Sequence, residues 1–179
     1  MQAPASRKWR RLDEPGLERL QIVPEHGGVR AVSTLVHAGA DPFGLTYDWR
    51  LDEQGRTRSL ELHLQHLQRR SMFIERMAHG WHIDGEPRAD LAACEEIDLS
   101  ATPLCNSLAI QRLNGTGEIT ALYVDLPSLE TLASRQRYER LAESRWRYID
   151  LGIAEGFEAE IEFASDGLVD RYEGLFEAI

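Results

Sequence analysis

The histidines and cysteines are the residues whose types most readily do chemistry, and their spacing decides which chemistry is open to them. His63 and His66 stand three apart, as do His79 and His82. A metal needs three or four ligands converging within ~2 Å, and on a strand residues three apart face opposite ways. With 59–67 and 71–79 read as a hairpin in which Leu67 faces Ser71, His63 lies opposite Glu75 and His79 opposite Ser59. That puts the two histidines about 13 Å apart by strand rise. They do not converge, so no metal site is expected; no cofactor is expected either. Cys105 follows Thr102-Pro103-Leu104 and is a candidate nucleophile. A thiol needs a base to become a thiolate, however, and the nearest histidine, His82, is 23 residues away. A small buried cysteine is the competing reading. Glu95, Glu96 and Asp98 raise acid–base catalysis, with a solvated loop as the alternative. The chain has no nucleophile elbow, P-loop, dinucleotide fingerprint or zinc-finger spacing.

The stretch DLSATPLCNSLAIQRL, Asp98 to Leu113, gathers an acid, hydroxyls, a thiol, an amide and an arginine around a proline. Read as a strand, it puts Asn106, Leu108, Ile110 and Arg112 on one face. An arginine on an apolar stripe fits the mouth of a cavity, where it can meet a carboxylate, phosphate or sugar hydroxyl. A structural ion pair with one of the acids is the competing reading, and the favoured one, because buried charges are usually paired. Trp49, Trp81, Tyr123, Tyr138, Trp146 and Tyr148 lie on or beside alternating segments. Amphipathic rings of this kind suit either a site for sugars or acyl chains or a packed core.

The elements that must position these residues are mostly strands. In FGLTYDWRL, Phe43, Leu45, Tyr47, Trp49 and Leu51 alternate with Gly44, Thr46, Asp48 and Arg50. SLELHL, EAEIEF and EITALYVDL repeat the period-two pattern of half-buried strands. Turn formers separate them at 25–28, 53–55, 84–85, 114–117 and 166–167. No βαβ rhythm occurs, which predicts a mainly antiparallel sheet that curls on itself. Residues 128–150 have helix-favouring composition, yet Trp146, Tyr148 and Asp150 alternate with their neighbours, so helix and strand both stay open there. Residues 1–14 read as a flexible arm on a single domain spanning 1–179.

The chain has 179 residues and a net charge of −10, a surface that repels phosphate backbones and anionic headgroups. Nucleic acid is therefore not an expected partner. No apolar run is long enough for a secretory signal or the ~20 residues of a membrane span, so the expected location is the cytoplasm, with Cys94 and Cys105 reduced.

EIDLSATPLCNSLAIQRL resembles the Asp-Leu, Thr-Pro, Asn and closing Arg-Leu pattern of the Putative glycolipid-binding family of bacterial proteins. Here these are Asp98-Leu99, Thr102-Pro103, Asn106 and Arg112-Leu113. Trp81 after a Gly turn, Pro127 after YVDL, RQRYERL (135–141) and DGLVDRYEGLF (166–176) extend the resemblance from about Tyr47 to the C-terminus. The chain departs from it at Cys105, Ala109 and Gln111, where the family commonly has Thr, Pro and Arg, and at Glu173 in place of Pro. The missing arginine and the net charge both argue against a strongly anionic headgroup.

The resemblance implies an all-β fold: a strongly curved, mainly antiparallel sheet forming an incomplete β-barrel or spiral roll around a hydrophobic cavity. In that respect it is similar to the carriers that localise bacterial lipoproteins. It also implies that RQRYERL is extended, with Gln136, Tyr138 and Arg140 on one face. The expected function is non-catalytic binding or carriage of an amphipathic ligand of glycolipid type. Its polar rim would be Asp98, Thr102, Asn106, Arg112, Gln136 and Tyr138. The alternative is a hydrolase or isomerase acting on a lipid-like molecule in the same cavity.

Overall fold

The computed structural model describes residues 4–113 and 115–179. Of the turn expected at 114–117, Asn114 lies outside these. Among the described residues fifteen strands form one continuous sheet: β1 (Ala5–Arg11), β2 (Gly16–Glu25), β3 (Gly28–His37), β4 (Phe43–Asp52), β5 (Thr57–Gln65), β6 (Arg69–Met77), β7 (Gly80–Ile83), β8 (Glu86–Pro87), β9 (Glu96–Leu99), β10 (Gly117–Val124), β11 (Thr131–Arg140), β12 (Arg145–Asp150), β13 (Glu158–Phe163), β14 (Val169–Tyr172) and β15 (Phe176–Ala178). Their spatial order is β8-β7-β6-β5-β4-β3-β2-β1-β15-β14-β13-β12-β11-β10-β9. All pairings are antiparallel except β9 with β10.

The two edge strands, β8 and β9, are neighbours in sequence, so the sheet must curl until its edges approach. They do not pair, and the roll stays incomplete. The connection 88–95 bridges the gap: the Trp81 indole N–H donates to the Cys94 carbonyl (2.9 Å), Arg76 to the Glu95 carbonyl (2.6 Å) and Arg88 to the Thr131 hydroxyl (2.7 Å). Most strands show a buried inner face alternating with a solvated outer one, as in Phe43, Leu45, Tyr47, Trp49 and Leu51 of β4.

Two expectations change. The arm expected over residues 1–14 is, from Ala5 to Arg11, an interior strand between β2 and β15. Trp9 pins it: the ring is fully buried and its indole N–H donates to the Val169 carbonyl (2.8 Å). The β5–β6 hairpin forms, but His63 faces Ser71 and Ser59 faces Glu75, a register four residues from the expected one.

NSLAIQRL is not a strand. Leu104–Arg112 form α1, the one α-helix among the described residues. Pro103, which has no amide hydrogen to leave unpaired, precedes it, and the Thr102 hydroxyl accepts the Leu104 N–H (3.2 Å). Leu and Ala then favour helix. Leu104 through Ala109 are all buried, because α1 occupies the middle of the roll's interior. It meets Tyr138 of β11 through Asn106 (3.1 Å), Val169 of β14 through Ser107 (3.1 Å) and Glu96 of β9 through Arg112 (2.5 Å). The space expected to be a hydrophobic cavity is thus divided by α1, with clefts at its two ends. RQRYERL is extended in β11, as the resemblance implied. No described helix is long and apolar enough to cross a membrane.

Candidate functional site

At the end of the roll where α1 begins lies a cleft of about 150 Å³. β9 delivers Asp98 to it, the turn before α1 Thr102, α1 Asn106, β10 Tyr123, and β12 both Tyr148 and Asp150. Phe157, Tyr172 and Phe176 complete its aromatic wall. The register across β11 and β12 explains the grouping: Gln136 lies opposite Asp150 and Tyr138 opposite Tyr148, all on the inner face. Tyr148 packs edge-on against Tyr138 (5.4 Å between centroids) and Tyr172 (6.0 Å), with Phe157 tilted beside it (6.2 Å).

A chain of hydrogen bonds backs the cleft. The Gln136 amide donates to Asp98 Oδ2 (2.5 Å), the Tyr138 hydroxyl to Gln136 Oε1 (3.2 Å), and the Asn106 amide to the Tyr138 hydroxyl (3.1 Å). Asp150 accepts the Gly152 N–H (2.7 Å) and the Tyr148 hydroxyl (3.3 Å). Burial raises Asp98 to about 6; hydrogen bonds from Gln136 and Cys105 oppose the rise, and the charge of Asp150 adds to it. Burial also pushes Tyr138, Tyr148 and Tyr172 well above the ordinary phenol range, and Tyr123 to about 12.

A model of the family described as Putative glycolipid-binding matches residues 6–178. The chain belongs to that family. A crystal structure of a DUF1089 family protein from Pseudomonas aeruginosa is similar over 92% of both chains, at 30% identity and a TM-score of 0.81. No curated protein matches the chain.

In this member of the Putative glycolipid-binding family, the six expected rim residues divide. Asp98, Thr102 and Asn106 line the cleft; Gln136 and Tyr138 are buried behind it and hold Asp98 and Asn106 in place. Arg112 is elsewhere. On a helix it lies six residues and about 9 Å along the axis from Asn106. There its guanidinium meets Glu96, whose side chain is 1% exposed, while a hydroxyl from Thr57 reaches the same carboxylate. The structural ion pair, one of the two readings open for Arg112, is the one found. Cys105 is buried, accepts the Leu99 N–H (3.0 Å) and has its thiol pushed well up by burial and by Asp98, which leaves no activated thiolate.

Of the aromatics singled out in the sequence, Tyr123 and Tyr148 reach the cleft, whereas Trp49 and Trp81 are core. Asp150, Phe157, Tyr172 and Phe176 were not anticipated. Asp150 carried a signal, since it shares parity with Tyr148 on a strand whose inner face is aromatic. At the other end of α1, Gln111 lines two wider clefts of about 510 and 630 Å³, which take in strand ends and the turns at 26–27, 53–55, 143–144 and 164–167. Among the described residues no three His, Cys, Asp or Glu side chains are grouped to hold a metal ion.

Proposed function

We propose that this protein binds the sugar headgroup of an amphipathic, glycolipid-type ligand in the Asp98/Asp150 cleft, without covalent chemistry. The observation that carries this reading is a ring-sized space walled by five aromatic side chains and two carboxylates. A cavity of about 150 Å³ accommodates roughly one six-membered ring. Carboxylates accept hydrogen bonds from sugar hydroxyls, and aromatic faces cover the apolar face of a pyranose. The interior taken up by α1 argues against engulfing an acyl chain. The chain would instead leave past Phe157, 38% exposed, and Ile153, 43% exposed, on the loop between β12 and β13. Each methylene covered there adds at most about 0.8 kcal/mol. We read residues 1–179 as one unit, because the sheet runs unbroken from β8 to β9, and the cytoplasm as its location.

A second reading rests on the unequal surroundings of the two acids. Asp98 is raised to about 6, while Asp150 is held by two donors, a division that acid–base hydrolysis of a glycoside would use. The experiment is calorimetric titration with octyl glucoside below its micellar concentration, beside a turnover assay on chromogenic glycosides. Binding that Tyr148→Ala abolishes, with no turnover, supports the first reading. Turnover lost in both Asp98→Asn and Asp150→Asn supports the second, and no binding to wild type removes the first.

A further inference from the structure

Two inward-facing acids on one face of β9, Glu96 buried and Asp98 half-buried, are treated differently. Glu96 and Asp98 are two residues apart, and both point inward. Glu96 receives a guanidinium from Arg112. Asp98 receives only the neutral Gln136 amide and the Cys105 thiol, and its charged neighbour in the cleft is a second carboxylate, Asp150. Asp150 in turn is bonded by a phenol and a backbone N–H. Carboxylates out of bulk water are normally matched by a cation or by a full set of donors.

The cleft's lining supplies no such cation: it contains no Arg, Lys or His among the described residues. Arg11 lies over the Phe176 ring (5.2 Å) but is bound by Asp13 (2.6 Å). The other titratable groups facing Asp98 are Tyr123, Tyr138, Tyr148, Tyr172 and Cys105, all pushed upward and so neutral near pH 7. The cleft's charge is therefore that of its two carboxylates. Tyr148 and Tyr172 line the same cleft, and aromatic rings of this kind attract cations; the whole chain, at −10, draws cations toward it.

We propose that the cleft selects a headgroup bearing a protonated amine on a six-membered ring, with an amino sugar as the simplest case, the amine lying between Asp98 and Asp150. This rests on the headgroup reading above and narrows it. The amine supplies to Asp98 and Asp150 what Arg112 supplies to Glu96, and the aromatic wall covers the rest of the ring.

The test titrates wild type at pH 7 with octyl glucoside, octyl glucosaminide and its N-acetylated form, which share a chain and differ in one group. The glucosaminide should bind on the order of tenfold tighter than either neutral glycoside, since a charge-assisted hydrogen bond replaces a neutral one. That preference should shrink severalfold at pH 5, where Asp98 takes up a proton, and likewise in Asp98→Asn and Asp150→Asn. Equal binding of all three overturns amine selection and leaves headgroup binding standing. No binding of any overturns both. A preference unchanged at pH 5 and in both variants places the charge recognition outside the cleft and overturns the proposal. The pH arm uses wild type alone, so the result does not depend on a variant folding.

Discussion

Glu18 offers a test of how the roll treats a buried acid that has no cation. Its side chain projects from the inner face of β2, 5% exposed, and one oxygen accepts hydroxyls from Ser33 and Tyr47 (2.7 Å each), with the Thr102 hydroxyl also close by. Burial raises its pKa from 4.5 to about 7, against the pull of those hydroxyls. A carboxyl raised in the folded state holds its proton there at pH values where the unfolded chain has lost it. Its contribution is fully present below pH 4.5 and is lost as pH rises through about 7. A shift of this size corresponds to on the order of 3 kcal/mol between the two limits. Glu18→Gln, which cannot ionise, should therefore be more stable than wild type at pH 8 and close to it at pH 4.5. The difference in Tm at pH 8 should be about 6–12 °C. Asp98 tilts both proteins the same way, so the difference between them isolates Glu18. Thermal unfolding followed by circular dichroism from pH 4.5 to 8.5 measures it. Parallel pH profiles would refute the reasoning.

Arg112→Ala should cost about 3 kcal/mol or more, because it strands the Glu96 carboxylate, 1% exposed, inside the roll. Glu96→Gln in the same chain should restore much of that loss, and urea denaturation of the single and double variants checks both. At the β2–β3 turn, Gly28 has φ +156° and any Cβ there would stand 1.9 Å from the Leu51 carbonyl oxygen. Gly28→Ala should therefore destabilise by at least about 2 kcal/mol through a backbone shift, read by the same denaturation; a loss within experimental error would show that the turn gives way freely.

How legible each part was depended on whether burial differed from one face to the other. β4 and β13 bury one side only, so their alternation was plain. α1 is buried on every side along Leu104–Ala109, which erases the helical period, and the apolar residues Leu108 and Ile110 then imitate a strand. β1 carries a single large apolar residue on its inner face, Trp9, among Arg and Lys, and so looked like a loose arm. β11 exposes Arg135, Arg137 and Arg140, good helix formers, and only the family resemblance indicated its extended form. The β5–β6 register differed from the expected one by an even number of residues, which leaves every side chain on the same face and is invisible to periodicity.

For the site, the motif around Asp98 and Asn106 located one wall of the cleft. The opposite wall, from Tyr148, Asp150 and Tyr172, comes from strands 42 or more residues further along the chain and meets it only through the curl of the sheet. Arg112 was drawn into the rim because a strand would have carried it alongside Asn106; the helix carries it to Glu96.

The most direct test of the central claim, a sugar headgroup held in the Asp98/Asp150 cleft, is a crystal structure of the protein with an octyl glycoside. The account predicts one pyranose ring against Tyr148 and Tyr172, its polar groups on Asp98 and Asp150, and the alkyl chain leaving past Phe157. A ring bound instead in the wider clefts beside Gln111, or a cleft that holds only solvent while the glycoside binds in solution, would contradict it.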